Sequence, residues 1–145
     1  MSVEIKGAEQ LAALSKALKA AGEKDLQREL SKAITTATRP VIAEARRSAL
    51  NTLPRRGGLA AKVAKSSMRT QRRVAGVRIL AKNAYALGRM DKGQVRHRVF
   101  GRDVWVTQQV RPGWWTKPTE AAGPEVRKAI LEAMDAVAAK IARSV

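Results

Sequence analysis

The chain of 145 residues has no cysteine and a single histidine, His97. Without thiols it can form neither a disulfide nor a thiolate metal site, and its redox compartment cannot be read. One imidazole leaves no His pair for a metal, and the carboxylates are scattered over helical faces. Catalysis needs a nucleophile, a base and an orienting group brought together. His97 lies between Arg96 and Arg98 in an alternating segment and reads as an ordinary exposed residue. Gly57-Gly58 leads into no Gly-Lys-Ser or Gly-Lys-Thr, so no phosphate loop is indicated. No catalytic residue, metal ligand or cofactor-binding residue is therefore expected. Aromatic residues are few, and all five (Tyr85, Phe100, Trp105, Trp114 and Trp115) follow residue 84. The N-terminal half is expected to have a thin core, so that the domain is either marginal alone or completes its burial against copies of itself. No apolar run approaches the roughly 20 residues that span a bilayer. The opening Met-Ser-Val-Glu-Ile-Lys does not read as a signal peptide. These absences predict a non-enzymatic, soluble protein, made inside the cell and without a membrane partner.

Acidic residues are also scarce in one place. Residues 54–102 hold fourteen Lys or Arg and one acid, Asp91. Residues 1–53 carry nine basic against six acidic residues, and 103–145 six against five. Thirteen of the net +17 charges thus lie in the middle third. A concentrated charge repels itself on folding and usually has a polyanion or an acidic partner nearby. Arg55, Arg56, Lys62, Lys65, Arg69, Arg72 and Arg73 fall within nineteen residues and are the candidate contacts to DNA or to a protein partner. No helix-turn-helix accompanies them, and no aromatics are interleaved as in single-strand binders.

Along the chain, Val3 and Ile5 alternate with polar neighbours and predict a short edge strand. Leu11, Leu14 and Leu18 mark one face of a helix that ends at Gly22. A second helix starts near Asp25, with a buried stripe of Leu26, Leu30, Ile34, Ala37, Val41 and Ala45. Pro40 inside it predicts a kink or a division. Residues 51–58 read as a flexible basic loop, part of a mobile arm over about 51–73 in an otherwise single domain, 1–145. A helical turn or two is expected within 59–67. Met68, Thr70, Arg72 and Val74, then Val77, Ile79 and Ala81, predict a hairpin that turns at Ala75-Gly76. Residues 83–94 read as loop. Val95, His97 and Val99, then Val104, Val106, Gln108 and Val110, predict a second hairpin. Val126, Ile130, Met134, Val137 and Ile141 mark the terminal helix, with a fresh start at Gly123-Pro124. Helices, then strands, then a helix argue an α+β fold, with a small antiparallel sheet made of the two hairpins. Trp114-Trp115 sits at the strand-to-helix junction. Either one indole plugs the core while the other anchors a subunit contact, or both are core.

The chain resembles the small neck proteins of long-tailed, non-contractile bacteriophages, also called tail-completion or head–tail connector proteins. The likeness runs over nearly the whole length: a strand and Leu-spaced helix from Val3 to Leu18, a long helix ending Ile42-Ala43-Glu44-Ala45-Arg46-Arg47, then Leu53-Pro54 and Gly58-Leu59. Its most specific parts are late. Val95-Arg96-His97-Arg98-Val99-Phe100-Gly101 precedes Trp105-Val106, and Val110-Arg111-Pro112-Gly113-Trp114-Trp115-Thr116 enters the last helix. Relatives carry Thr-Gly-x-Leu in the basic loop, where this chain has Arg56-Gly57-Gly58-Leu59. The resemblance implies a virion protein assembled in the host cytoplasm. It implies a ring of six copies between the head portal complex and the tail tube, with DNA passing through the lumen. The implied partners are copies of the chain, other connector, tail-terminator or tail-tube proteins, and non-specific contact with packaged DNA. Two other readings stay open: a nucleoid- or RNA-associated binding protein, and a small basic ribonuclease of the toxin type.

Overall fold

The computed structural model describes residues 1–6, 10–73, 76–82, 84–99 and 101–144, with Lys6, Arg73, Ala84, Tyr85 and Ser144 described in backbone only. The fold is α+β. Strand β1 (Ser2–Lys6) is followed by helix α1 (Gln10–Ala20). The Leu spacing of α1 places Leu11 and Leu18 in the core. Gly22, at φ 72, turns the chain while the Glu23 N–H donates to the Leu18 carbonyl at 3.0 Å. Helix α2 (Lys24–Thr52) buries Leu30, Ile34, Thr38, Val41, Ala45 and Ala49 along one stripe.

Pro40 does not divide α2, which runs on for 29 residues. The proline is exposed, and the buried face continues past it from Ile34 through Thr38 and Val41. Both halves are thus held to the same core, at the loss of one backbone hydrogen bond on the solvent side. The Thr38 hydroxyl, fully buried, bonds the Ile34 carbonyl at 3.1 Å and lies 2.8 Å from the Thr70 hydroxyl.

Within the segment expected as a flexible arm, residues 53–64 pack on α2. Leu53 is buried, a 3₁₀ turn follows at Arg56–Gly58, and α3 (Leu59–Ala64) buries Ala60, Val63 and Ala64. Gly57 and Gly58 both take positive φ (70 and 74), which sets the reversal between α2 and α3. An Arg46 guanidinium N–H donates to the Ala64 carbonyl and ties the end of α3 to α2. Small side chains let this helix lie close, so its weak apolar pattern still suffices for packing.

Strands β2 (Met68–Arg73) and β3 (Gly76–Ala81) pair antiparallel as expected; residues 74 and 75 of the connection lie outside the described residues. The other edge of β3 takes β1, Val3 opposite Ile79, giving the order β1-β3-β2. Where a loop was expected, α4 (Ala84–Asp91) forms and buries Leu87. The second hairpin, β4 (Gln94–Arg98) and β5 (Trp105–Gln109), does not join the first in one sheet. It is a separate two-stranded ribbon. Helix α5 (Thr116–Ser144) is continuous through Gly123-Pro124, so no new helix starts there. Its stripe is as expected: Val126, Ile130, Met134 and Val137 are buried and Ile141 is half-buried.

Helices α2 and α5 form the largest packed pair, and the inner face of the three-stranded sheet closes the core. Residues of both halves fill it. Leu11, Leu18, Leu30 and Val41 are as deeply buried as Ile130 and Val137, so the thin N-terminal core is not found. Ala45, Ala49 and Ala60 permit close approach there. No helix among the described residues is long and apolar enough to cross a membrane.

Candidate functional site

The seven basic candidates are distributed over several surfaces. Arg55 and Arg56 flank and open the 3₁₀ turn, Lys62 lies on the outward side of α3 and Lys65 just after it; all four are exposed. Arg69 and Arg72 are one odd and one even position of β2, so they leave opposite faces of the sheet. Arg72 reaches α1, donating to the Ser15 hydroxyl at 3.2 Å. It shares a shallow depression with Lys24, Arg28 and Ser31 on α2. Arg69 is on the outer face. Gln71, Arg78 and Glu4 form a row across that face, because residues opposite each other in register share a side. The Arg78 guanidinium is neutralised there by Glu4 at 2.9 Å. Arg73 ends β2 in register with Gly76. Among the described residues no acidic side chain pairs with Arg55, Arg56, Lys62, Lys65 or Arg69. Their charge is left to solvent or to a partner.

The second feature was not evident from the charge pattern. The β4–β5 ribbon has no second layer along most of its length, and every residue of β5 is exposed. Val104, Trp105 and Val106 are 52%, 53% and 37% exposed, three of the four large apolar side chains left open among the described residues. The register separates its two faces. Arg96, Arg98, Trp105 and Thr107 lie on one; Val95, His97, Val106 and Gln108 lie on the other. On the first, the Arg96 and Arg98 guanidinium carbons sit 5.2 and 5.9 Å from the Trp105 ring centroid. Such cation–π contact holds the indole in place without covering it. Arg98 also meets Asp103 at 2.5 Å. A two-stranded ribbon alone is marginal in water. Its root is anchored instead, with β4 packed on α4 and the Val110 N–H donating to the Gly93 carbonyl at 2.9 Å. Gly93 has φ +98, and a Cβ there would meet the Val110 carbonyl oxygen at 3.1 Å. The base of the ribbon thus depends on glycine.

The Trp114-Trp115 pair is core. Trp114 is 0% and Trp115 2% exposed, so neither indole offers the surface a subunit contact needs. The rings meet edge-on at 5.7 Å, and the Trp114 indole N–H donates to the Leu87 carbonyl at 3.2 Å. Adjacent side chains can both be buried here because the chain turns into α5 at these two residues instead of running extended. The exposed indole is Trp105, which sequence reasoning had placed only as part of a strand.

His97 is exposed, with Nδ1 3.1 Å from the Arg98 carbonyl and no carboxylate partner among the described residues. No group of three or more His, Cys, Asp or Glu is placed to hold a metal among the described residues. Two open depressions lie at the surface, one between β1 and α5 and one beside Arg72 and α2. Chemically the molecule offers exposed cations and one exposed apolar ribbon. The chain matches no family model, no curated protein and no solved structure.

Proposed function

We propose that the chain is a structural protein of a phage neck, a ring subunit that joins the head portal complex to the tail tube and leaves a conduit for DNA. The reading starts from the resemblance of the motifs 95–101 and 110–116. The observation that carries it is the ribbon. A body with a closed core displays Val104, Trp105 and Val106 on a projecting two-stranded arm. Exposed apolar surface of this kind is usual on chains that finish their burial in an assembly. The exposed cations from Arg55 to Arg72 suit a lumen that passes DNA or a contact with acidic neighbours, since they lack acidic partners of their own. The proposed partners are copies of the chain, adjoining connector, tail-terminator or tail-tube proteins, and packaged DNA without base readout. Images of the parent particle test the reading. They are expected to place this chain between portal and tail tube; density for it in the tail tip or capsid shell would overturn it.

A second reading is favoured by the unpaired cations alone: a basic protein that binds nucleic acid without sequence preference. On that reading the purified chain binds free duplex DNA with an affinity that falls steeply with salt. The neck reading predicts no such binding at physiological salt outside the assembly.

A further inference from the structure

Of the four strands paired on one side only among the described residues (β1, β2, β4 and β5), two have edges of complementary character. The first is β5, paired on one side by β4 and flanked by exposed Val104, Trp105 and Val106. The second is β1, paired only by β3 among the described residues. Beside β1 runs a groove of about 360 Å³ between the strand and α5, floored by Val3, Ile5 and Pro124 and edged by Glu4 and Glu120. Pro124 has no N–H and so cannot donate to the Glu120 carbonyl in this wall. An edge strand beside a helix is the geometry by which an added strand is held, main chain to main chain, with alternate side chains filling the groove.

We infer that the β4–β5 ribbon of one copy docks, through β5, into the β1–α5 groove of a second copy. Charge favours that occupant. In a chain of net charge +17, the groove border is neutral, with Glu120 against Arg127 and Glu4 paired to Arg78, so a basic ribbon meets no excess of like charge there. The ribbon brings Arg96, Arg98 and Arg102 against one acid, Asp103. Unpaired apolar edges otherwise aggregate, and natural proteins cover them. Here each copy has both the edge that needs covering and a place that accepts one. The donor and acceptor surfaces are different, so the contact is head-to-tail. Such a contact closes into a ring when the rotation between copies permits and runs on as a filament when it does not. The inference deepens the ring reading and rests on it.

The absence of cysteine makes the test clean. Two single-cysteine variants of the full chain are prepared, Val106→Cys on the ribbon and Arg127→Cys at the groove. Each is treated with a short bis-thiol cross-linker alone and in an equimolar mixture. Covalent dimers are expected in the mixture and not in either variant alone. Adding Trp105→Ala to the ribbon variant, or Glu120→Lys to the groove variant, is expected to cut the yield about tenfold. All these sites are at the surface, so the body should melt as in the parent chain. Three results would overturn the inference. One is no cross-link in the mixture. Another is cross-linking of Val106→Cys with itself, which means ribbon meets ribbon. The third is a Trp105→Ala effect on DNA binding and not on cross-linking, which means the ribbon is a nucleic-acid surface. Rings that form unaltered by these substitutions would leave the neck reading standing and remove only this contact.

Discussion

The Asp91 carboxylate holds the start of the last helix: one oxygen accepts the backbone N–H of Trp115 at 2.8 Å and of Thr116 at 3.0 Å. The other accepts the Thr116 hydroxyl. The Asp91 backbone carbonyl takes the Gly113 N–H at 2.8 Å. The single acid among fourteen basic residues of 54–102 is therefore a cap for α5, supplied from the end of α4. It does not balance the charge around it. A carboxylate at a helix N-terminus also meets the favourable end of the helix dipole.

Asp91→Ala leaves two N–H groups and a hydroxyl without their acceptor. It is expected to lower stability by about 2 kcal/mol. Asp91→Asn keeps one acceptor oxygen and should lose about half as much. Urea unfolding followed by circular dichroism reads both, and equal midpoints for all three proteins would show that the cap is not holding α5.

The two buried indoles differ in one bond. Trp114 donates to the Leu87 carbonyl, whereas the Trp115 Nε1 is buried with no partner among the described residues. Burying an unpaired donor costs about 1–3 kcal/mol, which Trp115→Phe relieves as it loses area. Trp114→Phe loses area and a bond and strands a carbonyl. Trp114→Phe is expected to be the more destabilising by about 1–2 kcal/mol in a thermal or denaturant melt. The reverse order would mean that the pairing of these two rings is misassigned.

Ile130 lies at the centre of the α5 stripe and is 0% exposed. Ile130→Asp places an unpaired carboxylate in the α2–α5 interface, at a cost of several kcal/mol. Loss of the cooperative transition is the expected result. A soluble variant with parental melting would show that this face is open in the free chain.

Reversing Arg55, Arg56 and Arg69 to Glu touches exposed side chains without ion-pair partners, so the fold should remain, each change shifting stability by about 0.5 kcal/mol or less. On the neck reading the same variant should fail to join tails to filled heads. Infectious particles at parental yield would separate the charge of this region from assembly.

Much of the secondary structure was legible because it follows local periodicity. Leu11 and Leu18, the stripe from Leu30 to Ala45, both hairpins and the run from Val126 to Val137 lie where their spacing put them. The α+β class follows from their order along the chain. The candidate surface was legible only as charge: the sequence counts cations, while the alternation of β2 sends Arg69 and Arg72 to opposite sides.

What the tertiary structure decided is what depends on residues far apart in the chain. Pro40 was expected to kink or divide its helix and Gly123-Pro124 to open a new one, yet the buried faces on either side of each proline keep α2 and α5 undivided. Among its described side chains the helix in 84–91 buries Leu87 deeply, too little to print a stripe, and it is tied to the start of α5 through the Trp114 indole and the Asp91 carboxylate. Within 51–73, Ala60, Val63 and Ala64 are buried on α2, a placement their weak apolar pattern did not announce. Both members of Trp114-Trp115 went inside while Trp105 stayed out, because burial is set by what lies opposite a side chain. Periodicity reports which side of an element is apolar; which neighbour covers that side, if any, is determined only when the elements pack.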